Sequence, residues 1–263
     1  MATVKEIFDY FENIVPTSMK LDSDNPGFLA GNGRNNVTKV LLALDITMEV
    51  IDEAKEYGAE LVLSHHPLFF STQNASTDNP VGRKLVNMLG AGISAICLHT
   101  NLDAAEGGVN DTLMNVLGIS IEGVLEPSGT YPNGIVYGLG RYGQIEEMSL
   151  ETFLPHCKTA LNCNGLRYIS AGKAVNRVAV CGGSGSSLLQ LVAEKGCDTY
   201  VTADIKHSIF LEAKELGINL IDAGHYSTEN VVMPVLEDMI NKAFPDIQTY
   251  ISKVHKQPEQ YYM

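Results

Sequence analysis

The sequence predicts an α/β protein built from two similar three-layer halves with largely parallel sheets. Two observations lead to this prediction. Short, almost wholly apolar segments alternate with segments of helical periodicity, which is typical of parallel strands covered by helices on both faces. The same order of segments then occurs a second time along the 263 residues. We therefore expect duplicated β-α-β-α-β units around a central cleft.

The first predicted unit lies in the N-terminal part of the chain. Its first strand is KVLLALD at 39–45, and a helix that ends at Gly58 follows it. The second strand is AELVLSHH at 59–66. A helix near 80–90 and a third strand, GISAICLHTNLD at 92–103, complete the β-α-β-α-β order.

The second predicted unit repeats this order. Its strands are VNRVAVC at 175–181, CDTYVTAD at 197–204 and INLIDAGHYSTE at 218–229, and helical segments separate them. Between the two units, a stretch rich in glycine, proline and tyrosine suits a β-hairpin and loops. We therefore place an N-terminal half at 1–123, a connecting or interface segment at 124–170 and a C-terminal half at 171–263.

Composition excludes several classes of protein. A formal charge of −13 opposes nucleic-acid binding, which needs a basic face. No apolar stretch approaches the roughly 20 residues of a membrane span. The five cysteines form no C-x-x-C pair and favour buried thiols in a reducing compartment. We expect a cytoplasmic protein without nucleic-acid or membrane partners.

Polar side chains collect where the predicted strands end, which is where parallel sheets bind ligands. The candidates in chain order are His65, His66, His99, Asp103, Asp204, His225 and Glu229. Each group of these residues, taken alone, is more typical of a hydrogen-bonded turn than of a set of metal ligands. Their joint placement on equivalent strand ends favours one shared metal site, and a duplicated fold would bring them toward a pseudo-symmetric centre.

The donor types limit the metals. Imidazole and carboxylate ligands without thiolate suit Zn²⁺, Fe²⁺, Mn²⁺, Co²⁺ or Ni²⁺. Five or more ligands exceed what one tetrahedral ion uses. Two ions roughly 3.5–4 Å apart would use them all. We therefore expect two divalent metal ions per chain.

Other polar positions are open to two interpretations. In CGGSGSS, at 181–187, free backbone N–H groups at Gly182, Gly183, Ser184 and Gly185 would cradle a substrate phosphate, or the glycines would permit a tight turn with close helix–sheet packing. His207 would line the substrate cleft or merely begin a helix. In the tail, His255 is expected to be exposed to solvent.

SHHPLFF, HTNLDAAEGGVND, TADIKH and DAGHYSTE, in this order, resemble the GTP cyclohydrolase 1 type 2 homologues, or NGG-interacting factor 3-like family. LDSDNPGFLAG resembles the N-terminal Asp-Asn-x-Gly stretch of that family. The chain resembles the short form, without the inserted domain of longer members. The resemblance implies a toroidal homohexamer and a dinuclear metal site with ligands at His65, His66, Asp103, His225 and Glu229, the last as the bridge.

The function that these residues favour is that of a metal-dependent hydrolase. The resemblance implies a small-molecule substrate, a purine nucleotide or a pterin-like ring, opened by C–N hydrolysis. Asp204, Asp45 or His99 would move a proton or orient a metal ligand. The alternative is a non-enzymatic metal-binding protein that acts as a regulator or scaffold in a hexameric ring.

Overall fold

The computed structural model describes residues 1–71 and 74–262. Within them it contains thirteen strands and ten α-helices. The strands are β1 (Ala2–Thr3), β2 (Gly27–Ala30), β3 (Asn36–Val37), β4 (Lys39–Ala43), β5 (Leu61–Ser64), β6 (Ser94–Cys97), β7 (Ser120–Thr130), β8 (Val136–Met148), β9 (Arg167–Ile169), β10 (Val175–Ser184), β11 (Thr199–Ala203), β12 (Asn219–Asp222) and β13 (Gln248–Ile251).

The helices connect these strands. They are α1 (Val4–Ile14), α2 (Met48–Tyr57), α3 (Pro80–Gly90), α4 (Thr100–Ala104), α5 (Val109–Val116), α6 (Leu150–Ala160), α7 (Leu189–Glu194), α8 (His207–Glu215), α9 (His225–Glu229) and α10 (Met233–Ala243). None of them is long and apolar enough to span a membrane.

The chain divides into two units, each built on one main sheet, and unit 1 also contains the two-stranded sheet β1-β3. Unit 1 comprises Met1–Leu102 and Met233–Lys256, and unit 2 comprises Asp103–Val232 and the residues from Gln257 on. The unit 1 sheet has the order β13-β4-β5-β6-β2, and the unit 2 sheet has the order β7-β8-β10-β11-β12-β9. The predicted α/β class with two similar halves is confirmed.

In unit 1 the parallel core is β4-α2-β5-α3-β6, as predicted. Every residue of β5 and β6 is buried, because helices cover both faces of the sheet. Helix α2 is capped by Thr47 before its first residue and by Gly58 after its last, and the φ of 74° at Gly58 suits glycine. Ser64 lies opposite Cys97, so strands β5 and β6 end side by side and the residues that follow them are neighbours.

Unit 2 repeats this core as β10-α7-β11-α8-β12. Strands β10, β11 and β12 are parallel, and the register aligns Thr202 with Asp222 at their carboxyl ends. The core contains Phe153, Val178, Val201 and Ile221, all fully buried. Because β11 and β12 are anchored in this core, the residues that follow them have fixed positions at the edge of the sheet.

The predicted domain boundaries differ from the structure at both ends. Strand β13 pairs in parallel with β4, so the C-terminal segment 233–256 belongs to unit 1 rather than to a C-terminal half at 171–263. Residues 103–123 belong to unit 2 rather than to the N-terminal half at 1–123. The hairpin β7–β8 pairs with β10, so much of 124–170 extends the second sheet rather than connecting two halves. The sequence prediction missed these boundaries because strands pair with partners that are distant in the sequence.

Candidate metal-binding residues

Three histidines cluster at the carboxyl end of the unit 1 sheet. His65 and His66 follow β5 directly, and His99 comes two residues after β6. Each offers a ring nitrogen, and the three nitrogens lie within 4.8 Å of one another. His65 is buried, and the other two rings are partly exposed. This arrangement is one that could hold a metal ion.

In all three rings Nδ1 is hydrogen-bonded to an oxygen that can only accept, so Nδ1 carries the proton. The bonds are His65 Nδ1 to the Leu98 carbonyl at 2.8 Å, His66 Nδ1 to Asp45 at 2.7 Å and His99 Nδ1 to Asp24 at 2.7 Å. In a neutral imidazole this leaves Nε2 as the nitrogen with a lone pair. Metal-ligating histidines are usually oriented in this way, so the residues fit a divalent transition metal.

Asp24 is a site residue to which sequence reasoning assigned no role. Its buried carboxylate accepts hydrogen bonds from His99 Nδ1, from the backbone N–H and hydroxyl of Thr100, and from the Asn25 N–H. Burial alone would raise the pKa of Asp24, but these hydrogen bonds outweigh it and hold the pKa far below its usual range. Asp24 is therefore an anion that orients His99. The sequence signal for Asp24 was the stretch LDSDNPG, on which part of the family resemblance rests.

Asp45 lies between two histidines. Its Oδ1 accepts from His66 Nδ1 at 2.7 Å, and its Oδ2 accepts from His255 Nε2 at 2.8 Å. Burial would raise the pKa of Asp45, but the hydrogen bonds from His255 and His66 lower it strongly. The His255 side chain is only 8% exposed, so the expectation of a solvent-exposed His255 was wrong. The parallel pairing of β13 with β4 returns the tail to this strand end.

Unit 2 contains a second set of candidate ligands. His225 and Glu229 lie one turn apart on α9, with Nε2 and Oε2 separated by 3.0 Å. His225 Nδ1 donates to Asp204 at 2.7 Å. Asp103 and Glu229 offer carboxylate oxygens within 4.8 Å of each other. Both carboxylates are buried, which suits a role in binding a cation.

Two carboxylates determine the protonation of His225. Burial lowers the pKa of His225, but hydrogen bonds and charge from Glu229 and Asp204 outweigh it and raise the pKa to about 9. Both ring nitrogens then donate, one to each carboxylate. A metal ion at Nε2 would take the place of this proton.

This raised pKa predicts a pH dependence for chelator-treated protein. The stabilisation by His225 is complete below its ordinary pKa of 6.5 and is lost as pH rises through about 9. The free energy of unfolding of the wild type should therefore exceed that of His225→Gln at pH 6, and the difference should shrink as pH rises from 6.5 to about 9 and be lost above it. Urea unfolding of both proteins across this range checks it. A difference that grows with pH would contradict the assignment.

The backbone around Asp204 is held in an uncommon conformation. Asp204 follows β11 with a φ of 56°, a left-handed conformation that aspartate tolerates better than most residues. Asp222, at the end of β12, accepts from the Ile205 and Gly224 N–H groups and from Arg167. Asp222 therefore fixes the turns that carry Asp204 and His225. Sequence reasoning missed it because it reads as the polar end of an apolar strand.

Three of the four N–H groups predicted to cradle a phosphate donate to side chains of the protein. Gly182 N–H donates to Asn110, Gly183 N–H to Thr228 and Gly185 N–H to Thr202, each at 3.0 Å. Ser184 ends β10, and α7 begins only at Leu189. The phosphate-cradle interpretation assumed that these N–H groups are free. It is wrong on this point, because protein side chains already accept hydrogen bonds from them.

The alternative of close packing describes the glycines better. A Cβ at Gly183 would lie 2.1 Å from Glu229 Oε1, and one at Gly182 would lie 2.7 Å from Val109 and 3.3 Å from Glu229 Cγ. Asn110, which accepts from Gly182, also donates to the Asp103 carbonyl at 2.9 Å. The glycines thus leave room for Glu229 and connect it to the Asp103 segment.

His207 is exposed and begins α8, the second of the two roles considered for it.

Comparison with known proteins identifies the family of the chain. The model of the Duf34/NIF3 (NGG1p interacting factor 3) family matches residues 2–258. The chain belongs to this family. Two similar NIF3 relatives are the GTP cyclohydrolase 1 type 2 homologs of Clostridium perfringens, 34% identical over 98% of this chain and 99% of that protein, and of Lactococcus lactis, 32% identical over 94% and 95%.

Longer relatives support the prediction of a short form. The Bacillus subtilis GTP cyclohydrolase 1 type 2 homolog aligns over 362 positions, at 26% identity and 97% coverage of both proteins, although this chain has 263 residues. Among solved structures, Staphylococcus aureus SA1388 matches with a TM-score of 0.89 and 30% identity over 99% of both chains. Reduced HcgD from Methanocaldococcus jannaschii matches with a TM-score of 0.78 and 29% identity over 96% and 98%. The NIF3 fold is therefore shared across nearly the whole chain.

Proposed function

We propose that this NIF3-family protein binds two divalent metal ions per chain and acts as a metal-dependent hydrolase. The observation that carries the proposal is the state of four histidines: in His65, His66, His99 and His225, Nδ1 donates to a carboxylate or carbonyl oxygen. This pattern presents Nε2 for metal binding. The proposed ligands are His65, His66, Asp103, His225 and Glu229, and His99 joins them because its ring lies within the unit 1 cluster.

The donors favour Zn²⁺, Fe²⁺, Mn²⁺, Co²⁺ or Ni²⁺. Such an ion, when bound, lowers the pKa of a water ligand toward neutrality and polarises the bond under attack. The residues of the chain have supporting roles. Asp24 and Asp45 keep the proton of His99 and His66 on Nδ1. Asp204 does the same for His225, and because its side chain is 48% exposed it can also exchange a proton with solvent.

The proposed substrate is a purine nucleotide or a pterin-like ring, opened by C–N hydrolysis. Support comes from relatives described as GTP cyclohydrolase 1 type 2 homologs. The glycine run no longer supports phosphate binding, since its N–H groups have protein acceptors. Recognition of the substrate is therefore proposed to depend on the metal-binding side chains. The homohexamer and the cytoplasmic location stay predictions.

Metal content and turnover measured together test this proposal. Untreated purified protein should contain about two transition-metal ions per chain. It should consume GTP or a pterin-like substrate, lose the activity with a chelator and regain it on addition of metal. Bound metal without turnover in a broad metabolite screen would replace the hydrolase by a metal-binding regulator or scaffold. Protein that neither contains nor takes up metal would contradict the whole proposal.

A further inference from the structure

We propose that His255 is a positioning residue for metal binding and that it acts on His66 through Asp45. The inference rests on the proposed metal-binding function. It concerns a residue of the C-terminal tail, 189 positions after His66 in the sequence. Its role would be to fix the carboxylate that in turn fixes the ligand.

The geometry is a chain of two hydrogen bonds within unit 1. His255 Nε2 donates to Asp45 Oδ2 at 2.8 Å, and Asp45 Oδ1 accepts from His66 Nδ1 at 2.7 Å. The Asp45 side chain is 43% exposed, whereas that of His255 is 8% exposed. Water therefore has access to Asp45 and competes for its oxygens. The buried His255 holds Oδ2 and leaves Oδ1 directed at His66.

His255 is itself held by a folded tail. The Ser252 N–H donates to the Leu42 carbonyl at 2.8 Å, which continues the pairing of β13 with β4. Glu53, on α2, accepts from the Ser252 hydroxyl and from the Lys253 N–H. The His255 N–H donates to the Ser252 hydroxyl at 3.2 Å. These bonds place the imidazole before any ligand binds, so holding Asp45 costs little additional ordering.

This arrangement gives His255 a defined effect on the metal. A carboxylate that accepts from Nδ1–H fixes the tautomer and raises the basicity of the ligating imidazole. Without His255, Asp45 is free to turn toward water, and His66 loses part of this orientation. Loss of outer partners typically lowers metal affinity roughly 10–100-fold. We expect an effect at the lower end, about 10-fold, because His255 acts through one intermediate.

Cobalt titration of the full chain tests the inference. The variants are His255→Ala, His255→Gln, Asp45→Asn and the double variant His255→Ala/Asp45→Asn. His156→Ala is the control, because His156 is an exposed histidine of unit 2, on α6, whose Nε2 hydrogen-bonds to the Leu117 carbonyl. Co²⁺ affinity is measured by competition with a chelator, the d–d spectrum reports ligand geometry, and thermal unfolding shows that each variant is folded.

We expect His255→Ala to weaken Co²⁺ binding about 10-fold and to alter the spectrum. Glutamine, which retains a donor, should recover part of the affinity, and His156→Ala should match the wild type. The double variant should be no weaker than Asp45→Asn alone, since the two residues act in series. Wild-type affinity in His255→Ala, or additive losses in the double variant, would overturn the inference. A wild type that binds no Co²⁺ would instead overturn the proposed function.

Discussion

Replacing Glu229 by glutamine is expected to abolish metal-dependent turnover and most metal binding while the fold persists. Glu229 is 4% exposed, and its carboxylate lies 3.0 Å from His225 Nε2 and within 4.8 Å of an Asp103 oxygen. Glutamine has nearly the same shape but no charge, so packing is retained while the anionic ligand is lost. The decrease in affinity should exceed the roughly 10–100-fold that loss of an outer partner costs.

The measurement is metal content by elemental analysis, together with circular dichroism and thermal unfolding. Glu215→Gln is the matched control, because Glu215 is exposed near the end of α8. It removes the same charge from the surface of the same unit and should leave metal content unchanged. Wild-type metal content and turnover in Glu229→Gln would contradict the role given to this carboxylate.

Substituting alanine for Gly183 should also remove metal binding, although the residue itself offers no ligand. The new Cβ would lie 2.1 Å from Glu229 Oε1 and 3.2 Å from His225 Cε1, so the carboxylate must move. The φ of 62° adds strain of roughly 1–2 kcal/mol for any residue with a Cβ. We therefore expect a lower free energy of unfolding and a loss of metal.

Gly196→Ala separates these two effects. Gly196 has a similar φ of 68°, but a Cβ there meets nothing within 4 Å. It should cost the same roughly 1–2 kcal/mol in urea unfolding and leave metal content at the wild-type level. If Gly183→Ala retained full metal content, or if both variants lost it equally, the glycine run would not be what shapes the Glu229 position.

The histidines and carboxylates at strand ends could be found from sequence because parallel strands place their carboxyl ends at one edge. Apolar runs revealed the strands, so His65, His66 and His99 were expected together, and the structure places their ring nitrogens within 4.8 Å. His225 and Glu229 were likewise expected among the candidates, because they follow the equivalent strand of the second predicted unit. The apolar pattern of the strands and their order along the chain were therefore sufficient to predict these candidate ligands.

The partners that orient these ligands could not be found in this way. Asp24 bonds to a histidine 75 positions later, and His255 bonds to an aspartate 210 positions earlier. Such contacts depend on which strand pairs with which, and the parallel pairing of β13 with β4 leaves no local pattern in the sequence. The acceptors of the glycine N–H groups could not be found for the same reason, since Asn110, Thr228 and Thr202 come from other segments.

The central claim is that histidine and carboxylate side chains, and no cysteine, bind a pair of metal ions. X-ray absorption at the zinc edge of zinc-loaded protein tests it most directly. All five cysteines are buried free thiols, and burial raises the pKa of Cys163 and, to about 11, that of Cys197. The account predicts nitrogen and oxygen ligands at about 2.0–2.2 Å with imidazole scattering, and a second metal at roughly 3.5–4 Å. A sulfur shell at about 2.3 Å, or a spectrum without imidazole, would contradict it.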